Sequence, residues 1–135
     1  MSAGRYSFLI EQGATTDFEI QYKGSSGTPV DLTGYEAAMQ IRNVQSGSTL
    51  YVSLTSSLGN SYTKTSGSSF LSLSGSNLST PLSSGSIGVY IGYAVTNDLS
   101  FNEAFYDLEL TSGSIRTRLI QGQIQLNDQT TFINP

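Results

Sequence analysis

The sequence predicts an all-β protein, an antiparallel β-sandwich of immunoglobulin-like or jelly-roll-like type with about seven to nine strands. Three observations carry that expectation. Apolar and polar residues alternate at period two over most of the chain, while helical periodicity is scarce. Gly-, Ser- and Asn-containing breaks recur between the alternating runs. The eight Tyr and six Phe sit largely within those runs, in a chain with only 12% charged residues. A length of 135 residues suits one domain, able to bury roughly 65–70% of its unfolded surface without metal or disulfide. The domain is expected over 1–135, with 1–5 and 130–135 as flexible or partner-docked ends.

The first strand is expected at Tyr6-Ser7-Phe8-Leu9-Ile10. After a break at Gly13, Phe18, Ile20 and Tyr22 share one face while Asp17, Glu19, Gln21 and Lys23 share the other. That is the pattern of a half-buried strand. Residues 24–29 break it. Asp31-Leu32-Thr33-Gly34-Tyr35 then reads as a compact turn in which Asp31 bonds the backbone ahead of it and Gly34 supplies a positive φ. Ala37, Met39 and Ile41 follow on one face, with Glu36, Gln40 and Arg42 on the other. Leu50, Val52 and Leu54 alternate again, and Tyr51 points the opposite way.

Residues 56–86 form a serine-rich excursion. Strand signals there are weak, at Ser61-Tyr62-Thr63 and Phe70-Leu71-Ser72-Leu73, and residues 77–81 can form one helical turn. Ile87, Val89, Ile91 and Tyr93 alternate with Gly88, Tyr90 and Gly92. Two glycines on one face leave room for a neighbouring backbone or an aromatic ring to lie close. Asn97-Asp98 marks the next turn.

The final hairpin pairs Ala104, Tyr106, Leu108 and Leu110 with a return strand from Ile115 to Leu126. A two-residue loop at Ser112-Gly113 sets Glu109 opposite Arg116, Asp107 opposite Arg118, Leu110 opposite Ile115 and Tyr106 opposite Leu119. Both acid–base pairs then fall on one face and the apolar pairs on the other. Core parity changes from odd at Ile115 and Leu119 to even at Ile120, Ile124 and Leu126. One extra residue is therefore expected between Leu119 and Gly122, hosted by Gly122.

Composition narrows the chemistry. Six Lys and Arg against ten Asp and Glu give a net charge of −4, with no basic cluster to follow a phosphate backbone, so nucleic acid is not an expected partner. There is no apolar stretch of membrane-spanning or signal-peptide type, and synthesis in a cytoplasm is expected, which does not decide where the protein works. With no His and no Cys, the common general base, thiol nucleophile and zinc ligands are missing. Lys23 and Lys64 are the amines available, and neither lies in a Ser-Lys motif. Neither an enzyme nor a cofactor is expected.

Several segments resemble a pattern found in small structural proteins of tailed bacteriophages. They are Gln12-Gly13-Ala14-Thr15, Pro29-Val30-Asp31-Leu32-Thr33-Gly34-Tyr35, Met39-Gln40-Ile41-Arg42, Tyr106-Asp107-Leu108-Glu109-Leu110-Thr111-Ser112-Gly113 and Arg118-Leu119-Ile120-Gln121-Gly122. The pattern is similar to the N-terminal β-sandwich domain of the baseplate upper protein family, and to stand-alone virion proteins of marine myoviruses, including those of cyanobacteria. It spans about residues 6–126. The resemblance implies a virion component that docks onto other virion proteins. In baseplate proteins this domain anchors a longer receptor-binding chain. The sequence ends at Pro135 without such an extension, so docking rather than host recognition is expected. The expected position is the tail, baseplate or fibre attachment region, with a capsid decoration protein as the alternative and a carbohydrate-binding module for host glycans as the second.

Candidate contact residues follow from phase. Tyr51, Tyr90 and Phe105 fall out of step with the buried set: either they face outward, where aromatic side chains favour protein contact, or a second covered face makes them core. Phe132 and Ile133 give the tail more apolar character than a free end needs. The edge strand near Tyr6–Ile10 offers a neighbouring subunit, including a homo-oligomer partner, a place to add a strand. Asp98 and Glu103 could approach as a carboxylate pair, although a turn acid followed by a solvated acid is the ordinary reading. Asp107 and Glu109 could hold calcium with a loop oxygen, but the hairpin gives each an arginine, and ion pairing is the reading adopted. Asp31, Gly34, Asp107, Glu109, Arg116, Arg118 and Gly122 are thus expected to be structural.

Overall fold

The computed structural model describes residues 4–43, 49–56 and 63–127. Within them the strands are β1 (Gly4–Arg5), β2 (Phe8–Glu11), β3 (Thr16–Gln21), β4 (Glu36–Arg42), β5 (Leu50–Thr55), β6 (Ser69–Ser72), β7 (Ser86–Ile91), β8 (Glu103–Ser112) and β9 (Ile115–Asn127). One short helix, α1 (Tyr93–Asn97), and a 3-10 turn at Leu82–Ser84 complete the elements. The strands form two mostly antiparallel sheets, as expected of an all-β sandwich. The larger runs β1-β9-β8-β4-β5, with β2 also on β9, and the smaller runs β3-β7-β6.

Period-two patterning sets which faces meet. Ala37, Met39 and Ile41 of β4, Val52 and Leu54 of β5, and Ala104, Tyr106, Leu108 and Leu110 of β8 are buried. They pack in one cluster with Leu71 of β6 and Ile87, Val89 and Ile91 of β7. Phe18, Ile20 and Tyr22 pack partly buried against it, while Asp17, Glu19 and Gln21 are exposed. Full burial of each such aliphatic side chain contributes about 1.5–3 kcal/mol, so this interior outweighs the surface ion pairs described below.

The turn before β4 has the expected chemistry. Asp31 Oδ1 accepts from the Thr33 amide at 3.0 Å and from the Thr33 hydroxyl at 2.7 Å, and Gly34 has φ +83°. Those two bonds, the side-chain one first, hold the Asp31 carboxyl below its usual range.

Strand β7 is buried along its whole length on both faces. Its inner face meets the core, and its outer face is covered by the serine-rich segment. A Cβ on Gly88 would meet the Gly75 carbonyl carbon at 2.7 Å, and one on Gly92 would run into the Ser66 and Thr65 backbone. The two glycines therefore do admit a neighbouring backbone. The cover is fastened by charge. Lys64 Nζ lies 2.8 Å from Asp17 Oδ2 and donates to the Ser76 carbonyl, and Glu19 Oε1 accepts from the Ser76 amide at 2.9 Å. Residues 77–81 form no helical turn. Instead Asn77 Oδ1 accepts from the Ser79 and Thr80 amides. Ser61 and Tyr62 lie outside the described residues, and Thr63 is not in a strand.

The last hairpin departs from its expected register. Ser112 pairs with Ile115, so Gly113 and Ser114 form the loop, and Gly113 has φ +60°. Thr111 faces Arg116, Leu110 faces Thr117 and Glu109 faces Arg118. Leu108 then faces Ile120, leaving Leu119 as the extra residue. The parity change is real, but Leu119 hosts it rather than Gly122. Ile115 sits at the hairpin tip, 69% exposed, and Thr117 takes the inward place beside Leu110. Tyr93 leaves the strand pattern too. It opens α1 and is half exposed.

Of the expected first strand, Tyr6–Ile10, only Phe8–Ile10 is in a strand, within β2; Gly4–Arg5, expected in a flexible or docked end, form β1, and both strands lie parallel to β9. Gly122 explains the break between them. A Cβ there would run into the Tyr6 carbonyl, which accepts the Tyr106 hydroxyl.

Candidate interaction surface

The outward face of the larger sheet gathers the arginines of the chain. Strand register places Glu36, Ala38, Gln40 and Arg42 on it from β4, and Phe105, Asp107, Glu109 and Thr111 from β8. From β9 come Arg116, Arg118, Gln121 and Gln123, and from β1 comes Arg5 opposite Gln121. All four arginines of the sequence thus share one sheet face. Both lysines are elsewhere: Lys64 fastens the cover of the smaller sheet and Lys23 bridges to Pro29.

The face is internally paired. Arg118 reaches both acids of β8, with Nε 3.3 Å from Asp107 Oδ2 and Nη2 4.0 Å from Glu109 Oε2. Arg42 Nη2 donates to Gln40 Oε1 at 2.7 Å, and Arg116 Nε donates to Thr111 Oγ1 at 3.4 Å. The Arg116–Glu109 pair expected from sequence does not form, because the loop lies one residue later and every pairing near it shifts by two, which sets Glu109 opposite Arg118. Asp107 and Arg118 do meet, along a diagonal. A depression of about 450 Å³ lies over Ala38, rimmed by Glu36, Gln40, Thr55, Glu109 and Arg116. The short Ala38 side chain between longer neighbours makes it.

Of the three out-of-phase aromatics, not all face outward. Phe105 does so, half buried between Arg42 and Gln123. Tyr90 does not. It is 6% exposed, stacks on Phe70 at 5.3 Å between centroids and donates to the Thr65 carbonyl at 2.8 Å. The serine-rich cover reaches over its face of the sheet. Tyr51 also turns inward. It is the extra residue where the β4–β5 register shifts, and its ring lies 4.7 Å from that of the buried Phe101. Phe132 and Ile133 lie outside the described residues.

Asp98 and Glu103 are not brought into one site. Asp98 caps α1 and lines a depression with Tyr51 and Leu99, whereas Glu103 lines another with Leu9 and Gln125. Among the described residues, no three Asp or Glu side chains gather as a metal site.

The arginine face escaped sequence reasoning because its members are scattered over more than a hundred positions. A signal was available for Arg42, which follows the buried Ile41, whereas the neighbours of Arg5, Arg116 and Arg118 are not buried. Comparison with protein-family models and with curated proteins gives no match.

Proposed function

We propose that the protein is a non-enzymatic structural component of a tailed-phage particle that works by docking onto neighbouring virion proteins. The tail, baseplate or fibre attachment region is the favoured place. The observation that carries the docking role is the arginine face: four guanidinium groups, a half-buried phenylalanine and a glutamine-rich surround on one sheet. Arginine and aromatic residues are enriched where proteins meet and lysine is depleted there; this face carries all four arginines and Phe105 and neither lysine, beside the acids Glu36, Asp107 and Glu109. Asp107 and Glu109 already hold Arg118, so these two acids do not lose water unpaired on contact. The virion assignment rests on the sequence resemblance.

Purified particles of the phage encoding the chain provide the test, by mass spectrometry followed by cryo-electron microscopy. Density for this sandwich at the tail, in roughly a dozen copies, is the expected result; hundreds of copies would move it to the head as a decoration protein. Absence from particles would overturn the reading. A glycan array covers the carbohydrate-binding alternative, which retains Phe105 but finds Tyr90 and Tyr51 covered.

A further inference from the structure

Strands β1 and β2 share one register against β9. Gly4 faces Ile120, Arg5 faces Gln121, Phe8 faces Ile124 and Glu11 faces Asn127, a constant offset across the break. Residues 4–11 are therefore one irregular edge strand. Backbone direction along it follows from two bonds. The amides of Tyr6 and Gln12 donate to the carbonyls of Gln121 and Asn127. In a parallel ladder alternate residues point toward the partner, so even-numbered residues face β9 and the amides of Arg5, Ser7, Leu9 and Glu11 point away. Among the described residues, no strand pairs with that outer side.

Edges of this kind are normally blunted by lysine, proline or an overlying element. Residues 4–11 contain neither lysine nor proline. Leu9 is 44% exposed and Tyr6 47%. The opposite edge of the sheet, β5, differs in lying beside β6 of the second layer.

We propose that a second copy of this chain pairs with this edge, antiparallel, about a two-fold axis at Phe8. Charge selects both the partner and the register. With Phe8 on the axis, Arg5 of each copy faces Glu11 of the other, and the two ion pairs close the ends of the ladder. Ser7 faces Leu9 on the same outer face, and Tyr6 faces Ile10 on the inner one. The hydrogen-bond phase agrees. Odd-numbered residues, whose amides point outward, oppose odd-numbered residues, which is the bonded pairing of an antiparallel ladder. Phe8 falls at a non-bonded pair, where side chains approach most closely. A two-fold interface must complement itself, and this segment does so in charge, face and hydrogen-bond phase together. The pairing stands on edge geometry and does not depend on where the protein works.

Sedimentation velocity on the full chain over a concentration series should show reversible growth to twice the chain mass. Leu9→Pro removes an outward amide that the monomer does not use, so a folded monomer is expected, with circular dichroism as the folding control. Arg5→Glu or Glu11→Arg alone should weaken the dimer about tenfold. The double variant, or an equimolar mixture of the two singles, should restore it. A chain that stays monomeric at every concentration overturns the proposal. A dimer insensitive to both the proline and the charge reversals overturns it as well.

Discussion

The Tyr106 hydroxyl donates to the Tyr6 carbonyl oxygen, joining residues 100 positions apart. The bond is part-buried, with Tyr106 3% exposed and Tyr6 47%, and it stands where the edge strand breaks. The Gln123 amide, which a regular ladder would send to Tyr6, donates instead to Ser7 Oγ at 3.3 Å. One phenol thus replaces one rung and fixes the N-terminal segment to the core.

Tyr106→Phe keeps the ring, which packs edge-on to Phe8 at 5.0 Å, and deletes the donor. Loss of about 1–2 kcal/mol is expected, read as a lower Tm with faster amide exchange in residues 4–11. The same bond makes a prediction about alkali. Burial, and secondarily Tyr6, raises the Tyr106 pKa well above its ordinary value. The folded state therefore holds a proton that the unfolded state releases near pH 10. This contribution is complete below that pH and declines as pH rises above it. Thermal melting from neutral pH to pH 11 or so should show the wild-type advantage over Tyr106→Phe shrinking above about pH 10.

Glycines 88 and 92 make a second case. Gly92→Ala would drive a methyl group into the Ser66 and Thr65 carbonyls, and Gly88→Ala into the Gly75 carbonyl. Backbone cannot swing aside as a side chain does, so each should cost about 1–3 kcal/mol. Gly67→Ala is the control, since its Cβ would meet nothing within 4 Å. Chemical denaturation of the three variants checks the order, with Gly67→Ala close to wild type.

These contacts also mark how far the sequence could be read. The alternation in β3 and β4 assigned their faces correctly because one face of each is wet, which is the condition under which period two carries information. Strand β7 has no wet face, so Tyr90 looked outward when it was merely opposite Val89. The segment covering it is serine-rich and gave no apolar signal; its mark was the glycine pair beneath it. The hairpin misled for a different reason. Two acids and two arginines suggested two facing pairs, but a guanidinium is long enough for Arg118 to serve both acids, so pairing chemistry was satisfied two residues out of register, a shift that keeps every side chain on its face. The arginine face was invisible for want of strand order. Nothing local in the sequence places Arg5 beside Gln121.

Asp31 provides an acid-side prediction of opposite sign to that of Tyr106. Its carboxyl is held below the usual carboxylate range by the Thr33 hydroxyl first and the Thr33 amide second. A depressed folded pKa means a stabilising contribution that is complete above the unfolded value, about 3.9, and is lost as pH falls through the folded one. Asp31→Asn retains a carbonyl oxygen that can accept from Thr33 but cannot titrate. Asp31→Ala removes the acceptor altogether. The asparagine variant should therefore stay near wild type at neutral pH and narrow the remaining gap as the buffer is taken below about pH 4. The alanine variant should be the least stable at neutral pH, because the turn into β4 then keeps only the Tyr35 amide to Leu32 carbonyl bond, 3.0 Å long, to close it. Urea unfolding at pH 7 and pH 3 or so separates the three chains. Equal midpoints for all of them at neutral pH would show that the Asp31–Thr33 bonds do not hold this turn.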